Sequence, residues 1–160
     1  MKYDFTTVLD RCGHDCIAAN RIPFEGVEVE EGFDAIVCDV TEFHKLNEKY
    51  GQRFGDLVLR SIGISLLNLA RRTGGIGCRK EGDAFLLYCP HQDEYEQLLE
   101  RFMADVFLEE DTAEKVRLRF GIYEHAQQET DIEDRCARAK DAADHLNGQQ
   151  LYAIYEPTAE

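Results

Sequence analysis

FDAIVCDVTEFHKLNEKYGQRFGD, residues 33–56, carries the chain from an apolar run straight into two helical patterns. FDAIVCDV, residues 33–40, is short, rich in β-branched residues and bounded by Gly32 and polar residues, as expected of a buried central strand. It places Asp39 at the strand's C-terminal edge. Thr41 can cap a helix whose apolar positions Phe43, Leu46 and Tyr50 precede a stop at Gly51. A longer helix follows, with the stripe Phe54, Leu57, Val58, Ile62, Ser65, Leu66 and Leu69, and with Arg71, Arg72, Gly74 and Gly75 as its end signals.

Outward from that core, CRKEGDAFLLYC, residues 78–89, reads as a strand, a charged turn and an apolar strand. Residues 91–106 show a third amphipathic helix with Tyr95, Leu98, Leu99, Phe102, Met103 and Val106 on one face. In KVRLRFGI, Val116, Leu118, Phe120 and Ile122 alternate with Arg117 and Arg119, the pattern of a half-buried strand. Ile132, Cys136, Ala139, Ala143 and Leu146 mark a last helix, and LYAIY a closing strand. The order β-α-α-β-β-α-β-α-β predicts an α+β fold, a mixed central sheet covered by helices, of the ferredoxin-like or polymerase-palm type.

The 160 residues suit one domain, and 44% hydrophobic with 31% charged residues is a globular composition. No apolar run approaches the roughly 20 residues of a membrane span. A formal charge of −14 repels polyanions, so neither nucleic acid nor membrane is expected as a partner. The opening MKYDFTTVLDRCG lacks an apolar h-region behind a basic one, which points to the cytoplasm and reduced thiols. The six cysteines are scattered; Cys12 and Cys16 flank His14, but no second cluster completes a tetrahedral zinc site, so they read as incidental.

Residues 39–56, DVTEFHKLNEKYGQRFGD, resemble the first signature of GGDEF domains, the diguanylate cyclase family, D-x-D-x-F-K-x-x-N-D-x-x-G-H-x-x-G-D. Asp39, Phe43, Asn47, Gly51, Gly55 and Asp56 match in register, and RKEGDAF aligns with R-x-G-G-D-E-F at the family's name-giving turn. FGIYE and the closing strand also fit, so the resemblance spans about residues 33–156 as a GGDEF domain, with 1–32 as an amino-terminal appendage. It implies a GTP laid across the sheet, its guanine read by Asn47 and Asp56, with Phe43 and His44 at the further substrate-contact positions. An amide and a carboxylate suit guanine because together they accept from its ring N–H and amino group and donate to its acceptors. Metal binding would use Asp39, the carbonyl of Val40 and Asp83, enough to hold one Mg²⁺ weakly with phosphate oxygens and water.

Several departures argue against catalysis. The family's turn glutamate, the candidate for assisting attack of a 3′-hydroxyl on an α-phosphate, is Ala84, which neither takes a proton nor binds metal. Losing general-base help alone costs about 10²–10⁴ in rate, and two-metal chemistry loses a carboxylate. The first turn glycine is Glu81, a negative charge close to the triphosphate. His44 replaces the signature lysine, with Lys45 on another helical azimuth, and DHLNGQQ lacks the family's late Lys and Arg. The product-inhibition motif R-x-x-D aligns with Arg72-Thr73-Gly74-Gly75, so its aspartate is missing.

The family's usual leader is represented only by Asn20, Arg21 and Phe24; YDFTTVLDRCGHDCIA instead resembles the amino-terminal arm of pyridoxal-phosphate-dependent carbon–sulfur lyases and aminotransferases, in a chain too short for that fold. The sequence therefore predicts a degenerate GGDEF domain without cyclase activity. Such a domain would act as a regulatory or interaction module with weak binding of GTP or another guanine nucleotide, and with a protein partner or a second copy. Two alternatives stay open: an active nucleotidyl cyclase using Glu81 as a substitute carboxylate, and a ligand-free partner-binding domain.

Overall fold

The structure is a computed structural model that describes residues 32–81, 84–106, 114–124, 132–146 and 151–155. In order, β1 (Phe33–Val40), α1 (Phe43–Tyr50), α2 (Gln52–Thr73), β2 (Ile76–Glu81), β3 (Ala84–Pro90), α3 (Tyr95–Val106), β4 (Leu118–Tyr123), α4 (Ile132–Asp144) and β5 (Tyr152–Ile154) follow the pattern read from the sequence. The five strands form one sheet in the order β2-β3-β1-β4-β5. β1 is central and antiparallel to both β3 and β4, while β5 joins β4 in parallel. This is the mixed, helix-covered α+β sheet expected.

Side-chain alternation divides β1 between two layers. Ile36, Cys38 and Val40 face a core built with Val58, Ile62, Leu66 and Leu69 of α2 and Leu99 and Phe102 of α3; the Phe102 ring meets Phe120 edge-on at 5.8 Å. Ala35 and Val37 point the other way, to the layer of α4, where Cys136, Ala139 and Ala143 are buried. α4 approaches β4 closely enough that a Cβ on Gly121 would lie 1.8 Å from the Ala139 carbonyl oxygen. The alternation read from the sequence holds at the start, where Val116 and Leu118 are buried, Arg117 is exposed and Arg119 is partly exposed; from Phe120 to Tyr123 β4 is buried on both faces.

Three local expectations also change. Thr41 does not cap α1: its backbone N–H donates to the Arg117 carbonyl at 2.8 Å, and its buried hydroxyl has no partner. Glu42 takes the cap position instead, in the left-handed region at φ 51°, without a side-chain capping bond. The third helix starts at Tyr95 rather than 91, because the preceding residues form a turn in which the His91 N–H bonds the Gly32 carbonyl at 3.0 Å and the Gln92 N–H bonds the Tyr95 hydroxyl at 3.3 Å. Leu57 lies off the buried stripe of α2 and is 57% exposed. Gly74 closes α2 at φ 76°, as a C-terminal glycine should.

Candidate functional site

At the C-terminal end of β1 the sheet delivers Asp39 and Val40 to a hollow of about 390 Å³. α1 starts two residues after the strand ends, so Phe43 and Asn47, one helical turn apart, face the same space with His44 at its rim. Strand pairing supplies the floor. Asp39 stands opposite Ala84 of β3 on one side and Arg119 of β4 on the other, and α4 brings Lys140 from above. The structure thus gathers five of the site residues named from the sequence, Asp39, Val40, Phe43, His44 and Asn47, around Ala84.

Asp56 is not brought in: it is exposed near the start of α2 and does not line the hollow. Asp83 lies outside the described residues. The His44 side chain is 88% exposed and pairs with Glu48 at 3.0 Å, so it leans along the helix rather than into the space. Asn47 is half-buried, and its buried amide oxygen has no hydrogen-bond partner. That oxygen is pressed against Gly55, where a Cβ would come within 1.8 Å of it. A buried polar atom left unpaired costs about 1–3 kcal/mol.

Arg119 and Lys140 are the site residues that sequence reasoning did not single out. Asp39 is 3% exposed, and both of its oxygens are occupied. Arg119 donates through Nε to Oδ1 at 3.1 Å and through Nη2 to Oδ2 at 3.3 Å, and Lys140 Nζ donates to Oδ2 at 2.9 Å. Lys140 also donates to Asp144 at 2.7 Å. Burial alone would lower the Lys140 ammonium pKa, but its hydrogen bonds to Asp144 and Asp39 outweigh that and hold it above the ordinary value. Asp39 is buried but Lys140 and Arg119 keep 40% and 30% of their side chains exposed, so solvent screens the pairs and the network ties α4 to β1 mainly by geometry.

This donor set does not fit a resident Mg²⁺ among the described residues. An ion would have to displace Arg119 or Lys140 from Asp39, and the adjacent strand offers the methyl group of Ala84 where a second carboxylate would serve. A separate polar group lies at the other end of β1, where Asp34, His91 and Glu124 bring ligand atoms within 4.8 Å of one another. There His91 Nδ1 meets Asp34 Oδ2 at 2.7 Å, and the Tyr95 hydroxyl donates to the same oxygen. These groups satisfy each other and tie the ends of β1 and β3 to α3.

Comparison with known proteins agrees with the geometry. Residues 25–150 match the family model described as diguanylate cyclase, GGDEF domain. The diguanylate cyclase VdcA of Vibrio cholerae serotype O1 is 33% identical over 78 residues; the match covers 46% of this chain and 23% of that protein, so the chain spans only a fraction of that relative. The active GGEEF domain of a Vibrio cholerae diguanylate cyclase superposes with a TM-score of 0.65 at 18% identity, covering 95% of this chain and 94% of the other. The GGDEF domain of DgcB from Caulobacter crescentus, solved with c-di-GMP, gives 0.63 at 19% identity, covering 96% and 89%. With the family model matched over most of its length, the chain belongs to the GGDEF diguanylate cyclase family.

Proposed function

We propose that this GGDEF domain has lost diguanylate cyclase catalysis and acts as a regulatory module that takes a guanine nucleotide weakly in the hollow below α1. The observation that carries this reading is the pairing of Ala84 with Asp39 across β3 and β1 while Arg119 and Lys140 hold both oxygens of Asp39. The family's turn glutamate is Ala84 and Asp39 is engaged, so among the described residues no carboxylate at this end of the sheet is free to take a 3′-hydroxyl proton or to share a metal ion with phosphate. Magnesium competes with Lys140 for Asp39 and binds weakly at best. Asn47 and Phe43 support the guanine half of the reading: a half-buried amide and a half-buried ring line the hollow one turn apart on α1.

Incubation of the chain with GTP and Mg²⁺ or Mn²⁺, followed by chromatography of the products, tests the loss of catalysis. The expected result is no cyclic dinucleotide above the protein-free control. An active enzyme is the second reading, favoured by the likeness to domains described as diguanylate cyclases. In that reading Glu81, which pairs with Ala84 across the turn, is the substitute carboxylate. Cyclic product that disappears in Glu81→Ala would establish it.

A further inference from the structure

Arg53, Leu57, Arg60, Ile64, Leu67 and Arg71 recur along α2 at alternating spacings of four and three residues. That is the heptad spacing of a seam that meets a second helix, and it lies beside the broader stripe by which α2 meets the core. Leu57 is 57% and Ile64 49% exposed, Leu67 is half-buried, and all three arginines are exposed. Much of the aliphatic area at Leu57 and Ile64 therefore stays in water, where a docked helix would remove it. At 1.5 Å per residue the stripe runs about 27 Å.

The charge on this helix runs against that of the chain. The protein has 32 acidic and 18 basic residues, whereas α2 has four arginines and one acid, Asp56. We infer that the outer face of α2 docks an amphipathic helix of a partner protein, with aliphatic residues set against Leu57, Ile64 and Leu67 and carboxylates against Arg53, Arg60 and Arg71. Arginine suits this seam because its stem lies along apolar surface while its head takes a carboxylate through two parallel hydrogen bonds. A second copy of the chain is the poorer occupant: parallel pairing of the stripes sets each arginine against itself, and antiparallel pairing sets Arg53 against Arg71. An anionic membrane is poorer too, because two exposed aliphatic positions make a narrow seam rather than a wide apolar face, and a chain of charge −14 is repelled from it. No residue of the stripe lines the hollow at Asp39, so this surface stands independently of the guanine reading.

Fluorescence anisotropy of labelled synthetic peptides titrated with the full chain tests the inference. One peptide carries a leucine heptad seam flanked by glutamate, a second the same seam flanked by lysine, and a third the glutamate peptide scrambled. The glutamate peptide should bind about tenfold or more tighter than the other two, and more weakly as salt rises. Leu57→Ser/Ile64→Ser should weaken that binding about tenfold or more, and Arg53→Glu/Arg60→Glu/Arg71→Glu should transfer the preference to the lysine peptide. These side chains are exposed, so both variants should melt near the temperature of the parent. No binding of the glutamate peptide at about 1 mM, equal binding of the glutamate and lysine peptides, or binding unchanged in the folded variants overturns the inference. Co-sedimentation with phosphatidylglycerol vesicles that the Leu57→Ser/Ile64→Ser variant loses would overturn it in favour of a membrane, and a dimer of the parent that this variant dissolves would overturn it in favour of a second copy.

Discussion

Gly55 lies against the Asn47 amide oxygen, and its missing side chain makes room for that group. In Gly55→Ala a methyl would meet Asn47 Oδ1 at 1.8 Å and approach the Phe43 ring at 3.2 Å. Overpacking costs about 1–3 kcal/mol, whereas replacing a helical glycine with alanine returns about 1 kcal/mol. The net loss of stability should therefore be small, but the amide must turn away and guanine binding should disappear. Calorimetry beside a thermal melt checks this, and a variant that binds guanine like the parent would contradict it. Ala84 is the complementary position. Ala84→Glu restores the family's turn carboxylate beside an Asp39 still held by Arg119 and Lys140, so that change alone should yield no cyclic dinucleotide in a GTP turnover assay.

The helices and strands were legible because each carries a clear period: the α2 stripe apart from Leu57, the β1 apolar run, and the Gly51 and Gly74 stops fall where the sequence places them. The errors arose where tertiary contacts override a local signal. Thr41 has the chemistry of a cap, but its backbone bonds Arg117 and the turn passes to Glu42. The open face read from Arg117 and Arg119 extends only that far, because α4 covers the strand from Gly121 onward by close approach. At the site, Asp39, Phe43 and Asn47 could be found from a motif of contiguous sequence. Lys140 could not, because it reaches Asp39 across 101 positions and nothing in its own helix announces the contact. Gly121→Ala tests the α4–β4 packing: backbone atoms of Ala139 and Ala143 block the new methyl, so a loss of about 3 kcal/mol is expected by urea unfolding. A loss below about 0.5 kcal/mol, the range of an ordinary surface change, would mean that α4 does not lie this close to the sheet.

The whole molecule combines a neutralised carboxylate at one end of β1 with a hydrogen-bonded latch at the other, and the latch should set the stability of the fold in alkali. Burial, aided by the charge of Asp34, pushes the Cys89 thiol up from 9.0 to about 12. Burial, then Cys89 and Asp34, likewise raise the Tyr95 hydroxyl. Above about pH 9 the unfolded thiol releases its proton while the folded one keeps it, so the native state binds more protons and stability falls as pH rises. The slope is at most about 1.4 kcal/mol per pH unit for each group. Urea midpoints should therefore drop between about pH 8 and pH 10.5; an unchanged midpoint would contradict the burial of these two groups. None of this touches the far end of β1, where the functional claim rests on a guanine contact without catalysis. Calorimetric titration of GTP into the parent chain and into Asn47→Ala tests that claim most directly. Heat from the parent and none from the folded variant is the result expected, and no heat from the parent at millimolar GTP, or equal heat from both, would contradict it.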